Sequence, residues 1–290
     1  MKLISIKNSG EIVTAIQTEK GYTLMTDVNK VSNRKWENTL LGILQKGQLD
    51  EIVQWFNQDG YKMLRKKQSF QSELENNHNA PLLHNPGKVW GIGFNYAKGQ
   101  AEKDELETDW EPVCFLKPTT SIIGSNETIV IPSESDRTTA EGELAIIIGK
   151  KCKHISKEDY KDVVAGYTTA LDMTAADIHE RNPRFLARAK SFDTFVSIGS
   201  TLITVDELEQ IEKLNVSTVL NGKVVYENSI HNMIYSPAKI VAFFSSISTL
   251  YPGDIILTGT PGPVDIHEGD EVMCTIDGFY PLINHVKKHI

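Results

Sequence analysis

Three carboxylates in this 290-residue chain have the types and spacing of a divalent-cation site: Glu141, Glu143 and Asp172. Strand side chains alternate between faces, so Glu141 and Glu143, leading into Leu144-Ala-Ile-Ile-Ile, project from one face. Gly142 between them has no side chain and leaves room for another backbone or a ligand. Asp172 closes the apolar run from Val163 to Leu171 and precedes Thr174-Ala-Ala-Asp177, the pattern of a capping box at a helix start. Each feature also has a plainer reading, a solvated strand edge for the glutamates and a helix cap for the aspartate. Brought together without a cation, the three would repel and raise one another's pKa. Oxygen ligands without His or Cys favour Mg2+ or Mn2+, with Ca2+ also accommodated, over zinc. Three protein ligands leave positions open for water or a chelating 2-oxo acid. A cation there would act as a Lewis acid on an enolate forming beside the keto group.

The elements that must hold these residues are legible in outline. Residues 1 to about 30 alternate apolar and polar positions with turn signals at Asn8-Ser-Gly and Lys20-Gly, which predicts a small hairpin sheet. From Trp36 to about Lys67, apolar residues recur at three- and four-residue spacing, which predicts helices. A polar stretch from Lys66 to Lys88 reads as a linker between a small domain over residues 1–80 and a larger one over 81–290. Beyond it, short apolar runs separated by Gly, Pro and Asp predict a mainly β domain of about 200 residues.

Composition removes several classes of function. A formal net charge of −8 disfavours binding to nucleic-acid phosphates. The longest apolar runs fall short of the ~20 residues that cross a bilayer, and the first residues alternate like a strand, so the expectation is a cytoplasmic protein without a membrane partner. Cys114, Cys152 and Cys274 are odd in number and far apart, which predicts reduced, packed thiols. The cluster Arg181, Arg184, Arg188 and Lys190 is too short for a groove and suits a small carboxylate substrate.

Six blocks then carry a family resemblance: GIGFNYA at Gly91, EPVCFLKP at Glu111, AEGELAIIIGK at Ala140, GYTTALDMTAADI at Gly166, AKSFDTF at Ala189 and PGDIILTGTP at Pro252. In order and spacing they resemble the fumarylacetoacetate hydrolase superfamily over residues 88 to 290. The resemblance implies a mostly β fold with some helix (α+β): a β-roll catalytic domain beside the small N-terminal α+β domain. It further implies a homodimer and Mg2+ or Mn2+ on Glu141, Glu143 and Asp172. Lys190 takes the place of the family lysine beside the bound ligand, where a cation stabilises a developing enolate. Thr260 falls where relatives hydrogen-bond the substrate carboxylate, and Lys117 lies in a motif bordering the site.

The sequence departs from the family pattern at one loop. Hydrolases and decarboxylases of the family commonly carry NYxxHxxE, whose His–Glu pair activates water. Here the stretch runs Asn95-Tyr96-Ala97-Lys98-Gly99-Gln100-Ala101-Glu102, retaining Glu102 and replacing the histidine by Gly99. Glutamate alone, with an unperturbed pKa of about 4.3, is a poor base near neutrality. A lid over about Asn95 to Trp110 carrying Glu102 is expected. An Arg and a Gln that face substrate in relatives are Ala176 and His179 here. His179, seven residues after Asp172, would return to the cavity after two helical turns, with Arg181 or Arg184 standing in for the arginine. The expected activity is that of a metal-dependent hydrolase, isomerase or decarboxylase of a small 2-oxo or β-diketo acid. A 2-keto-3-deoxy sugar acid dehydratase and an inactive binding protein are the alternatives.

Overall fold

The computed structural model describes residues 1–8, 10–66, 80–106, 111–208 and 210–289. Strands dominate it: Lys2–Asn8 (β1), Glu11–Thr18 (β2), Gly21–Leu24 (β3), Val89–Gly93 (β4), Val113–Lys117 (β5), Ile122–Ile123 (β6), Thr128–Ile131 (β7), Thr138–Ile148 (β8), Val164–Ala175 (β9), Val196–Ile198 (β10), Thr201–Thr204 (β11), Asn215–Leu220 (β12), Lys223–Ser229 (β13), Ile255–Leu257 (β14), Val264–Ile266 (β15), Glu271–Ile276 (β16) and Leu282–Lys288 (β17). They form a 12-stranded sheet whose main path runs β3-β2-β1-β11-β9-β8-β14-β4-β5, and a five-stranded sheet in the order β13-β12-β16-β17-β7.

The long antiparallel pair β8–β9 is the frame of the molecule. All 12 residues of β9 are buried, because each face of the large sheet is covered. Leu144, Ile146 and Ile148 pack with Val216, Val272 and Cys274 of the smaller sheet. Ala145 and Ile147, which alternation places on the opposite face, pack with Leu40, Ile43, Leu44 and Ile52 from the N-terminal helices. Burial on both faces explains why these strands read as continuous apolar runs instead of alternating ones.

The N-terminal segment contains the expected hairpins and helices, including Leu40–Gln45, Leu49–Trp55 and Tyr61–Lys66, with an additional helix at Met25–Ser32. Its first strand pairs antiparallel with β11, Leu3 opposite Leu202. The terminal ammonium of Met1 donates to Thr204 Oγ1 and Glu207 Oε2, each at 2.8 Å. Most of the polar linker expected over residues 66–88, namely 67–79, lies outside the described residues. A chain cut between residues 66 and 80 is therefore expected to keep its two pieces together through the β1–β11 ladder and the shared core. Co-elution in gel filtration checks this, and separate elution would refute it. Among the described residues no helix is long and apolar enough to cross a membrane.

Candidate active site

The register of β8 against β9 sets Glu141 directly opposite Asp172, and Glu143 opposite Ala170. Ligand oxygens of Glu141, Glu143 and Asp172 lie within 4.8 Å of one another, so the three candidate metal ligands are brought together. Asp172 and Glu143 are buried, at 0% and 2% exposure, whereas Glu141 keeps a partly open side chain. On the other face of β8 the smaller sheet crosses at Gly142, whose N–H donates to Thr218 Oγ1 at 2.9 Å. A Cβ on Gly142 would stand 2.9 Å from that oxygen and 3.0 Å from the Ser217 carbonyl, so only glycine admits this approach.

Two lysines neutralise part of the charge. Lys190 Nζ lies 2.6 Å from Asp172 Oδ2 and 3.2 Å from Glu141 Oε2, and donates to Thr174 Oγ1 at 2.8 Å. It also stands 4.4 Å above the centre of the Phe115 ring. Burial alone would lower its pKa, but Asp172 and Glu141 reverse this and hold the ammonium above its ordinary value. Lys117 Nζ pairs with Asp172 Oδ1 at 2.5 Å and donates to the carbonyls of Met173 at 2.9 Å and Phe195 at 2.5 Å. The ammonium thus donates hydrogen bonds to two backbone carbonyls and meets Asp172 as an ion pair, Asp172 Oδ1 taking no hydrogen bond among the described residues. Burial pulls Lys117 down to about 8, against the opposing pull of Asp172. Glu143 moves the other way: burial, then Asp172 and Glu141, push its carboxyl well above the usual range, against Lys190 and the Gly259 N–H.

Three carboxylates thus face two ammonium groups in a buried setting, and the glutamate farthest from water is the least able to ionise. An all-oxygen donor set with uncompensated negative charge fits a hard divalent cation such as Mg2+ or Mn2+. One more cation would offset the burial and the repulsion from Asp172 and Glu141 that raise the pKa of Glu143.

Local structure departs from the sequence expectation around Asp172. The capping box at Thr174 does not form, because the β8–β9 ladder runs on to Thr138 opposite Ala175. Helix Ala176–Arg181 begins without a side-chain cap. Thr174 instead points its hydroxyl at Lys190 and Glu141, the latter at 3.4 Å. Asp177 accepts from Ser135 Oγ at 2.7 Å. With residues 172–175 extended, the two-turn argument for His179 has no helix to act through. His179 is half-buried in the short helix, and among the described residues its imidazole makes no hydrogen bond or ion pair with the carboxylates. Arg181 pairs with Asp177 of its own helix at 3.6 Å.

The other expected site residues sit around this cluster in different ways. Thr260 is half-buried, with its Oγ1 3.2 Å from both the N and the O of Gly262 inside the TGTP turn. The adjacent Gly259, at φ +90°, donates its N–H to Glu143 Oε2 at 2.7 Å. Glu102 lies in helix Gln100–Leu106 and accepts the Lys98 N–H at 2.6 Å. That helix is tethered to Ile230–Asn232: Lys103 Nζ donates to the His231 carbonyl at 2.6 Å, and His231 Nε2 lies 3.0 Å from Gln100 Oε1. The lid expected to begin at Asn95 is pinned there, since Asn95 is fully buried and hydrogen-bonded to Tyr235 and Thr258. Residues 107–110 of it lie outside the described residues.

Sequence reasoning took Thr174 for a helix cap, not a site residue, and did not single out Gly259. Thr174 was within reach by alternation, two residues after Asp172 on one strand face. Gly259 acts through its backbone, which leaves no side-chain signal.

The profile of the fumarylacetoacetate (FAA) hydrolase C-terminal family matches residues 88–287, which contain all of these groups. The chain belongs to the fumarylacetoacetate hydrolase family. It is an enzyme of that family. This family member is 42% identical over 204 residues to an uncharacterized protein of Methanocaldococcus jannaschii, covering 70% of this chain and 84% of the other. It is 37% identical over 215 residues to the mitochondrial oxaloacetate tautomerase Fahd2a of Rattus norvegicus, covering 71% and 68%. Among solved structures, 2-hydroxyhepta-2,4-diene-1,7-dioate isomerase from Mycobacterium marinum superposes with a TM-score of 0.73 at 29% identity, covering 99% of this chain and 98% of that one. The described residues that precede the family match, 1–8, 10–66 and 80–87, fall within the stretch that this superposition covers.

Proposed function

We propose that this chain is a divalent-metal-dependent tautomerase or isomerase of a small 2-oxo acid. The observation carrying this reading is the buried triad Glu141, Glu143 and Asp172 with Lys190 against two of its members, on a scaffold whose water-activating loop position is Gly99. When bound by the three carboxylates, Mg2+ or Mn2+ supplies positive charge beside which the oxygens of a 2-oxo acid can lie.

The reaction breaks one C–H bond next to the keto group and forms one O–H or C–H bond elsewhere in the same molecule, so no water is consumed. Lys190, kept protonated by Asp172 and Glu141, places a cation where negative charge develops on the substrate oxygen. Lys117 holds Asp172 in place through its ion pair and two carbonyl contacts. Thr260 receives the substrate carboxylate, and Glu102 carries the proton once its helix closes. The tautomerase and isomerase activities of the relatives support the same class.

A substrate panel tests it: oxaloacetate tautomerisation, isomerisation of hydroxymuconate-type dienes, acylpyruvate cleavage and 2-keto-3-deoxy acid dehydration, each with Mn2+ and with a chelator. Proton-transfer turnover is expected with Mn2+ and should vanish with chelator, while acylpyruvate cleavage stays at least ~10²-fold slower for want of the base. Faster cleavage than isomerisation would overturn the reading, and binding without any turnover would favour the inactive binding protein.

A further inference from the structure

The loop that carries Gly99 also holds a tyrosine to which no role is yet assigned. Tyr96 stands between two clamped neighbours. Asn95 Nδ2 donates to the Tyr235 and Thr258 carbonyls at 3.0 and 2.8 Å, and its Oδ1 accepts the Tyr235 N–H at 2.7 Å. The Ile234 N–H reaches the Asn95 carbonyl at 2.9 Å. On the other side, the Ala97 N–H donates to the Asn232 carbonyl at 3.0 Å, and Asn228 Nδ2 donates to the Ala97 carbonyl at 2.9 Å. The backbone of Tyr96 is thus fixed before any ligand arrives.

This clamp is continuous with the carboxylate cluster. Thr258, which Asn95 grips, is followed by Gly259, whose N–H holds Glu143. A Cβ on Gly259 would lie 2.8 Å from Asn95 Cβ, so the two segments touch. The Tyr96 ring packs against the main core, and its hydroxyl is buried with no hydrogen-bond partner among the described residues. The groups acting electrostatically on that hydroxyl are Glu143 and Cys274. Cys274 Sγ itself lies 3.5 Å from the Glu143 carbonyl. Glu143 Oε2 takes its hydrogen bond from Gly259, not from the phenol.

A rigidly held phenol whose hydroxyl is buried, feels the Glu143 carboxylate and has no hydrogen-bond partner among the described residues is unfavourable, since buried polar groups are almost always hydrogen-bonded. Its O–H is a donor waiting for an acceptor oxygen. We propose that Tyr96 is a substrate-binding residue whose hydroxyl donates to an oxygen of the bound 2-oxo acid next to Glu143, and so fixes its orientation at the site. The inference rests on the reading of that site as a metal-dependent 2-oxo acid centre. It assigns to the loop a second function, independent of Glu102: Tyr96 belongs to the pinned base of the loop and Glu102 to the helix beyond Gly99.

The test uses Tyr96→Phe in the full chain, which removes one oxygen and keeps the packed ring. Calorimetric titration with Mn2+, then with oxalate as a planar mimic of a 2-oxo acid enolate, separates the two levels of the argument. The expected result is unchanged Mn2+ affinity, oxalate binding weakened about five- to tenfold, and a melting temperature of the metal-free protein no lower than that of the wild type. Equal oxalate affinity in both proteins would overturn the role of Tyr96 while leaving the metal-centre reading intact. A drop in melting temperature together with lost Mn2+ affinity would also overturn it, since the hydroxyl would then be structural. Failure of the wild-type chain to bind Mn2+ would overturn the underlying reading of the site.

Discussion

Glu143→Ala is expected to weaken Mn2+ or Mg2+ binding by more than about 100-fold, beyond the loss usual for residues that merely support metal ligands. The variant removes one of three convergent oxygens and leaves Glu141 and Asp172 already paired with Lys190. Its effect on the metal-free fold should be smaller. In that state Glu143 is a buried carboxyl pushed well above its usual range by burial, Asp172 and Glu141, and its one strong contact is the Gly259 N–H. Metal that binds only the native state stabilises it by mass action, so wild-type melting temperature should rise with added Mn2+ and that of the variant should not. Unchanged Mn2+ affinity in Glu143→Ala would remove the three carboxylates as the metal site.

The second large effect concerns proton transfer. Glu102→Gln is expected to slow turnover on the substrate found in the panel by roughly 10²- to 10⁴-fold, the range usual for a general acid or base, with Mn2+ affinity nearly unchanged. In the structure the Glu102 carboxylate caps its own helix through the Lys98 N–H, so its approach to substrate requires the helix to swing about Gly99. A Cβ on Gly99 meets nothing within 4 Å, so a side chain there is sterically admitted. Gly99→His should accordingly create or greatly increase acylpyruvate cleavage, by restoring an imidazole four residues from the pinned Asn95. Full native activity in Glu102→Gln would refute the role of the lid carboxylate and make Lys190 the preferred proton-transfer residue.

The residues of the site divide cleanly by how far their information reaches along the chain. That Glu141 and Glu143 share a face follows from the two-residue period of a strand, and Gly142 between them already announces a close approach. That Lys190, Thr260 and Glu102 deserve notice came from motif resemblance. The capping box at Thr174 was a sound local pattern overridden by a ladder 11 pairs long, from Thr138–Ala175 to Ile148–Val164. A single helix cap contributes about 1 kcal/mol, too little to end a fully buried strand early. The same ladder cancelled the helical route from Asp172 to His179.

Composition, alternation and motif order determined the class of the fold, the oxygen character of the donor set and the family. Tertiary structure alone decided the rest: the register that places Asp172 opposite Glu141, the Met173 and Phe195 carbonyls that hold Lys117, and the Gly259 N–H on Glu143. It also decided the clamp on Asn95 that leaves the Tyr96 hydroxyl buried and unpartnered. The physical reason is that periodicity is a property of neighbouring residues, whereas register and backbone hydrogen bonds join positions far apart in sequence, through groups that every residue carries alike.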